Sequence, residues 1–216
     1  MIRLPLAHLQ EAKTNPELYK QKLRSTSEKQ PRNYGYFNVL RDTVLKYHAS
    51  SENIVLTRSY LEEKLDKFKN QRRCQAVVDQ FEWYVEENKR RSWPTFQTRL
   101  NITIPTPGWI KANTIVCSGQ IPRVDMIPAG GYAAWLFRKK EPDGWFNELR
   151  MPLIQDVLSK SVLGVRPDQV YVGIYCFEEQ YVDQRQYSVD EIANAYTEFY
   201  DLLKALGYSG SDETIN

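Results

Sequence analysis

The sequence predicts an α/β (α+β) fold: a central mixed sheet of about four strands, flanked by helices and preceded by a helical extension. Three observations carry this. Up to about residue 92 the apolar residues recur at helical spacing. From Thr98 the period falls to two, as a half-buried strand requires. Beyond the Gly130-Gly131 pair, Tyr132 to Phe137 is almost wholly apolar, which suits a strand covered on both faces.

The elements follow in order. Asn15-Pro16 opens one helical segment, and Leu40, Val44, Leu45 and the Tyr47-His48 pair lie on another. Ser25 to Asn33 reads as a polar loop. A charged amphipathic helix runs from Tyr60 to Lys69. A longer one runs from Arg73 to Arg91, carrying Ala76, Val77, Phe81, Trp83, Tyr84 and Val85, and Ser92-Trp93-Pro94 ends it. Thr98 to Ile104 alternates polar with apolar, Pro105 to Gly108 turns, and Thr114 to Val124 gives a second strand. Gly130-Gly131 makes a hairpin turn into the third, because glycine tolerates positive φ. A helix follows from Glu148 to Leu163, closed by Gly164. The strand Val170 to Phe177 comes next. The last helix starts at Ser188, with Glu191 three residues on as a capping box, and its stripe runs Ile192, Ala195, Tyr196, Phe199, Leu202, Leu203, Leu206.

At 216 residues and 42% hydrophobic content the chain is long enough for one domain with a substantial core. Residues 1–92 form the helical region including the first core helix, 93–208 the α/β core, and 209–216 a flexible tail. The net charge of +2 neither demands nor excludes a nucleic-acid partner, so a footprint would have to come from local clustering. No apolar run reaches the roughly 18 residues of a membrane span, and no signal-peptide core is present at the N-terminus, so a cytoplasmic protein without membrane contact is expected. Cys74, Cys117 and Cys176 are far apart and form no C-x-x-C pair; they read as small buried apolar residues. His8 and His48 are too few and too separated for a metal site or a triad.

One stretch carries more than the rest: Gly119-Gln120-Ile121-Pro122-Arg123-Val124-Asp125, the Gly130-Gly131 turn, then Tyr132-Ala133-Ala134-Trp135-Leu136-Phe137-Arg138. It resembles the RecB-like branch of the PD-(D/E)XK nucleases, which read roughly G-x-x-D-R-[IV]-D, a glycine turn, and an apolar strand ending D-[YF]-K. The resemblance implies a PD-(D/E)XK-like core, whose element order matches the one read above from periodicity. It places Pro122 at the metal-binding Asp, Leu136 at the second acid and Arg138 at the catalytic Lys. Leu40 to Tyr47 is similar to the family's H-E-x-L segment with Arg41 at the His position. Leu149 to Gln155 is similar to its L-Q-x-P-L-Y-A helix, with Arg150 for the Gln and Ile154 for the Tyr. The resemblance covers about residues 35–180 and departs at six functional positions. Some RecB-like relatives hold an iron–sulfur cluster on four Cys; three widely spaced Cys do not supply one.

Those departures matter because Mg2+ takes oxygen ligands in near-octahedral geometry and activates the attacking water. Pro122 and Leu136 offer no side-chain oxygen, and an arginine cannot serve as a base near neutral pH. The expectation is a catalytically inactive RecB-like pseudo-nuclease, without cofactor or metal. It would act as a nucleic-acid-binding or scaffolding subunit, DNA favoured over RNA, in a prokaryotic repair, recombination or defence (CRISPR-type) complex with protein partners. Arg41, Arg123, Arg138, Lys139, Lys140 and Arg150 are the candidate nucleic-acid contacts, since arginine holds phosphate bidentately. The plainer readings are that Arg123 pairs with Asp125, that the other arginines pair with neighbours such as Asp42 and Glu148, and that Arg72-Arg73 and Lys89-Arg90-Arg91 are solvated helix faces. Trp93, Phe96, Trp135 and Trp145 can stack on bases or pack the core. Two alternatives stand beside this. One is an active Mg2+-dependent nuclease with relocated residues, Asp125 and Glu148 as ligands, with Glu141 and Asp143 nearby and Lys139 or Lys140 as the cation. The other is a protein-interaction module.

Overall fold

The computed structural model describes residues 2–25, 35–110, 115–140 and 144–208. The polar loop expected up to Asn33 and the tail expected over 209–216 lie outside these residues, apart from Ser25, which closes a helix. In chain order the elements are β1 (Ile2–Pro5), α1 (Leu9–Thr14), α2 (Pro16–Ser25), α3 (Tyr36–Ala49), α4 (Ile54–Leu65), α5 (Gln71–Arg91), β2 (Thr95–Ile104), β3 (Ile115–Met126), β4 (Tyr132–Arg138), α6 (Arg150–Val157), β5 (Val170–Cys176), β6 (Tyr181–Arg185) and α7 (Val189–Ala205).

Local chemistry fixes several boundaries. Asn15, Asn53 and Asn70 each accept a backbone N–H at the start of α2, α4 and α5. Ser188 and Glu191 form the reciprocal capping box at the start of α7. α6 continues into a π-helical turn, Leu158–Leu163, that ends at Gly164. Gly130 and Gly131 both take φ near +100°, and a Cβ on Gly131 would stand 2.5 Å from the Gln169 carbonyl oxygen. Only glycine fits that hairpin.

The sheet is mixed and has six strands, in the order β1-β3-β4-β5-β6 with β2 on the other edge of β3. The four strands read from the sequence are joined by β1 and β6. β1 lies in the stretch expected to be helical; it is only four residues long and pairs parallel to β3, Ile2 against Ile115. β6 has the polar sequence Tyr181–Arg185 and borders β5. Neither is long or alternating enough to announce itself by period.

Both faces of the sheet carry a core. Ala134, Leu136, Val172 and Ile174 face a layer built from α1, α2, α6 and α7, with Leu153, Ile192 and Phe199 at its centre. Ala133, Trp135, Phe137 and Tyr175 face a layer built from α3, α4 and α5, with Leu40, Val44, Phe81 and Tyr84. Each fully buried Leu or Phe contributes about 1.5–3 kcal/mol. Among the described residues no helix is long and apolar enough to cross a membrane.

Candidate functional site

The sheet is split at one point. β3 pairs with β4 from Met126↔Tyr132 to Arg123↔Trp135, and the next register step would set Pro122 against Leu136. No pairing is made there: β4 runs on to Arg138 and β3 runs back to its contact with β1 at Ser118. Proline has no N–H to extend a ladder, and on its other side Pro122 stands opposite Arg99, which adopts φ +54°. A wedge-shaped opening results, bounded by Gly119–Pro122 and by Leu136–Arg138. These are the positions at which the resemblance puts metal ligands and the catalytic lysine.

The opening is filled rather than hollow. Leu136 is 7% exposed and packs among the apolar residues of the α6–α7 layer. The turn after β1 crosses Gly119 so closely that a Cβ there would lie 2.6 Å from the Cβ of Leu6. From α1, Gln10 accepts the Leu149 N–H at 3.4 Å.

At the end of β4 three charges form a chain. Arg138 Nη2 donates to both Glu148 oxygens at 2.5 and 2.6 Å, and Arg150 Nε donates to Glu148 Oε2 at 2.8 Å. Burial, and then the neighbouring Arg138, bring the Arg150 guanidinium down to about 10, against the pull of Glu148. Arg138 Nε is buried without a hydrogen-bond partner among the described residues. Both arginines thus spend their charge on one carboxylate. Lys139 and Lys140 at the same strand end are exposed and share Glu178, at 3.2 and 3.7 Å.

On the opposite face lies a separate buried network. Arg123 Nε donates to Asp125 Oδ1 at 2.6 Å, and Trp135 Nε1 donates to Asp125 Oδ2 at 2.8 Å. Arg123 Nη1 donates to Tyr84 Oη and to His48 Nε2 at 2.5 and 3.1 Å. An arginine can only donate, so His48 Nε2 accepts and Nδ1 carries the proton, facing Thr95 at 3.2 Å and Glu52 at 3.3 Å. Burial, reinforced by the Arg123 charge, lowers His48 to about 3. Burial also works against the Arg123 charge, but Tyr84 and Asp125 outweigh it and hold the guanidinium protonated.

The sequence-derived candidates are therefore dispersed. Arg123 is 0% exposed and cannot reach a nucleic-acid backbone; it is the partner of Asp125. Arg41 lies on exposed α3 surface beside Asp42 at 3.4 Å, in the layer opposite Arg138 and Arg150. Asp125 has both oxygens engaged on the α3–α5 face, whereas Glu148 sits on the α6 side and Lys139 is tied to Glu178. The relocated set Asp125, Glu148 and Lys139 is not brought together, and no group of three or more His, Cys, Asp or Glu able to hold a metal exists among the described residues. Glu141 and Asp143 lie outside them. Trp135 and Trp145 are core residues, while Phe96 is 43% exposed. Arg90 and Arg91 both pair with Glu87. Nothing in the sequence marks His48 and Tyr84 as members of a polar network, beyond the presence of both at helical positions.

No family model matches the chain, and no curated protein matches it in sequence. Among solved structures it is similar to a candidate exonuclease from Eubacterium rectale, with a TM-score of 0.56 at 8% identity over 95% of this chain and 82% of that one. A second structure, SSO0001, aligns at a TM-score of 0.32 and 9% identity over 87% of this chain and 83% of that one, too low to support an argument. The chain has a nuclease-like α/β fold: a mixed sheet flanked by helices.

Proposed function

We propose that this chain is a catalytically inactive, RecB-like PD-(D/E)XK pseudo-nuclease that binds nucleic acid, DNA in preference to RNA, as a non-catalytic subunit of a prokaryotic repair, recombination or defence complex. The observation that supports it is the sheet opening itself. The wedge between Pro122 and Leu136 lies at the positions where the resemblance puts the metal ligands, and it is lined by an imino acid, a buried leucine and an Arg–Glu–Arg chain. Metal-assisted phosphodiester hydrolysis needs carboxylate oxygens at that point to hold the ion and orient water. Charge around the end of β4 favours a polyanion: among the described residues Arg138, Lys139, Lys140 and Arg150 form ion pairs with two acids, Glu148 and Glu178.

The test is a pair of measurements on the purified chain. Fluorescence anisotropy with labelled oligonucleotides should show binding that weakens steeply as salt rises. Incubation of the same oligonucleotides with Mg2+ or Mn2+ should leave them intact. Cleavage abolished by Glu148→Ala would overturn the proposal, as would the absence of any binding at low salt.

A further inference from the structure

A second surface, running from α4 and the start of α5 to the end of β4, combines cations with half-buried aromatic rings. Between residues 64 and 73 the chain carries Lys64, Lys67, Lys69, Arg72 and Arg73 against the single acid Asp66. That local excess is larger than the net charge of +2 for the whole chain. Lys67, Lys69, Arg72 and Arg73 have no ion-pair partner among the described residues, and all four are exposed. Arg72 and Arg73 occupy the first turn of α5, where no acid is present. The helix dipole disfavours cations at that end, so a bound anion would relieve the strain between charge and helix.

The rings lie among these charges. Tyr36 and Phe68 stack with centroids 4.5 Å apart, Arg73 stands 5.9 Å from the Tyr36 ring and Lys64 Nζ 5.1 Å from the Tyr60 ring. On one side of the Tyr36–Phe68 pair is a hollow of about 450 Å3 between Tyr60, Lys64, Lys67 and Phe68. On the other is a groove of about 320 Å3 that passes Tyr36, Phe37 and Arg73 and reaches Lys139 beside Glu178. Rings and cations thus alternate along one track from α4 to the end of β4. The acids on it are few: Glu63 lies 3.6 Å from Lys64, and Glu178 is shared between Lys139 and Lys140.

We infer that this track, from Tyr60 past the Tyr36–Phe68 pair to Lys139, binds single-stranded nucleic acid. Phosphates are held by Lys67, Arg73 and Lys139, and bases stack on the half-buried rings of Tyr60, Tyr36 and Phe68. The inference rests on the reading of the chain as a nucleic-acid-binding protein, and it adds where and in what form the nucleic acid binds. A single strand is favoured because its bases are free to stack, whereas a duplex offers only its backbone to such rings. The contact carries no base-edge readout, so binding is sequence-tolerant.

The probe is a labelled oligothymidine of roughly 20 nucleotides, long enough for one such track, compared with a duplex of the same length. The wild-type chain should bind the single strand more tightly. The triple variant Lys67→Glu, Arg73→Glu, Lys139→Glu should lose tenfold or more in affinity. Its plot of log affinity against log salt should flatten by about 2 in slope, as expected when three phosphate contacts to a single strand vanish. A control with equal charge change elsewhere, Lys89→Glu, Arg166→Glu, Lys204→Glu, should bind within about twofold of wild type. Tyr60→Leu should weaken single-strand binding by about fivefold or more with the salt slope unchanged, the signature of stacking rather than charge. Circular dichroism confirms that each variant is folded, and if the triple variant is not, the single changes Lys67→Glu and Arg73→Glu replace it. Equal loss in control and track variants, or a preference for duplex, overturns this inference while the proposed function stands. Failure of the wild-type chain to bind either probe overturns both.

Discussion

Pro122 on β3 and Leu136 on β4 stand at the same register step, and it is the first step at which the two strands cease to pair. Proline at this step offers no side-chain oxygen on β3, and it also lacks the N–H that could have closed the ladder. The opening is apolar on one side and ion-paired on the other.

Placing acids at these two positions should not create a nuclease. Pro122→Asp with Leu136→Glu puts carboxylates where Leu136 is 7% exposed among apolar neighbours. Burying an unpaired charge there should destabilise the fold by about 3 kcal/mol or more, measured by urea denaturation. Arg138 remains bound to Glu148, so no Mg2+-dependent cleavage of a fluorogenic oligonucleotide is expected. Cleavage would mean that the opening still admits metal and substrate.

Glu148→Gln tests the chain of charges at the end of β4. Arg150 is buried and Arg138 partly so, and both depend on this carboxylate. Removing it leaves two like charges facing each other, with an expected loss of about 3 kcal/mol. In the triple change Arg138→Met, Glu148→Gln, Arg150→Met much of that loss should be recovered. Additive losses would show that the three residues act independently.

His48 should make stability fall with acid. Its folded-state value is lowered from 6.5 to about 3 by burial and by Arg123. The unfolded chain therefore binds this proton from about pH 6.5 downward while the folded chain does not. Stability from this group is fully present above that value, and it is lost as pH falls through the window toward about 3, at up to about 1.4 kcal/mol per pH unit. Urea midpoints at pH 7 and pH 5 should differ more for wild type than for His48→Gln. Equal differences would exclude His48 as the source.

Gly119→Ala should act on the N-terminal segment. The added methyl would meet the Cβ of Leu6 at 2.6 Å, so the turn after β1 must move away from β3. Amide hydrogen exchange should rise in β1 and α1 with little change in β5, which pairs with neither β1 nor β3. Uniform loss of protection would instead indicate global destabilisation.

Much of this was legible in the chain itself. Helical spacing marked α3, α5 and α7, the Ser188–Glu191 box marked where α7 begins, and the apolar run from Tyr132 placed β4 at the centre. These signals are local: they depend on neighbours a few residues away along the chain. β1 was illegible because its four residues are a strand only by pairing with Ile115–Ser118, more than a hundred positions on. The candidate site was legible as a set of residue types and not as a place. The pairing of Arg123 with Asp125 is legible from their spacing, but the sequence does not show that β3 turns Arg123 inward toward Tyr84 and His48. The track from Tyr60 to Lys139 went unread because its cations and rings come from α3, α4, α5 and the end of β4, and only packing aligns them.

By itself, then, the sequence determined the periods of the elements and their order, since these follow from residue type and near-neighbour spacing. Only the tertiary structure decided which charges meet. It joined Arg138 and Arg150 through Glu148, sealed Arg123 and Asp125 inside the opposite layer, and left Lys67 and Arg73 in solvent. The physical reason is that the energy of a charge depends on its burial and on the nearest counter-charge in space, and the sheet brings those neighbours from distant parts of the chain.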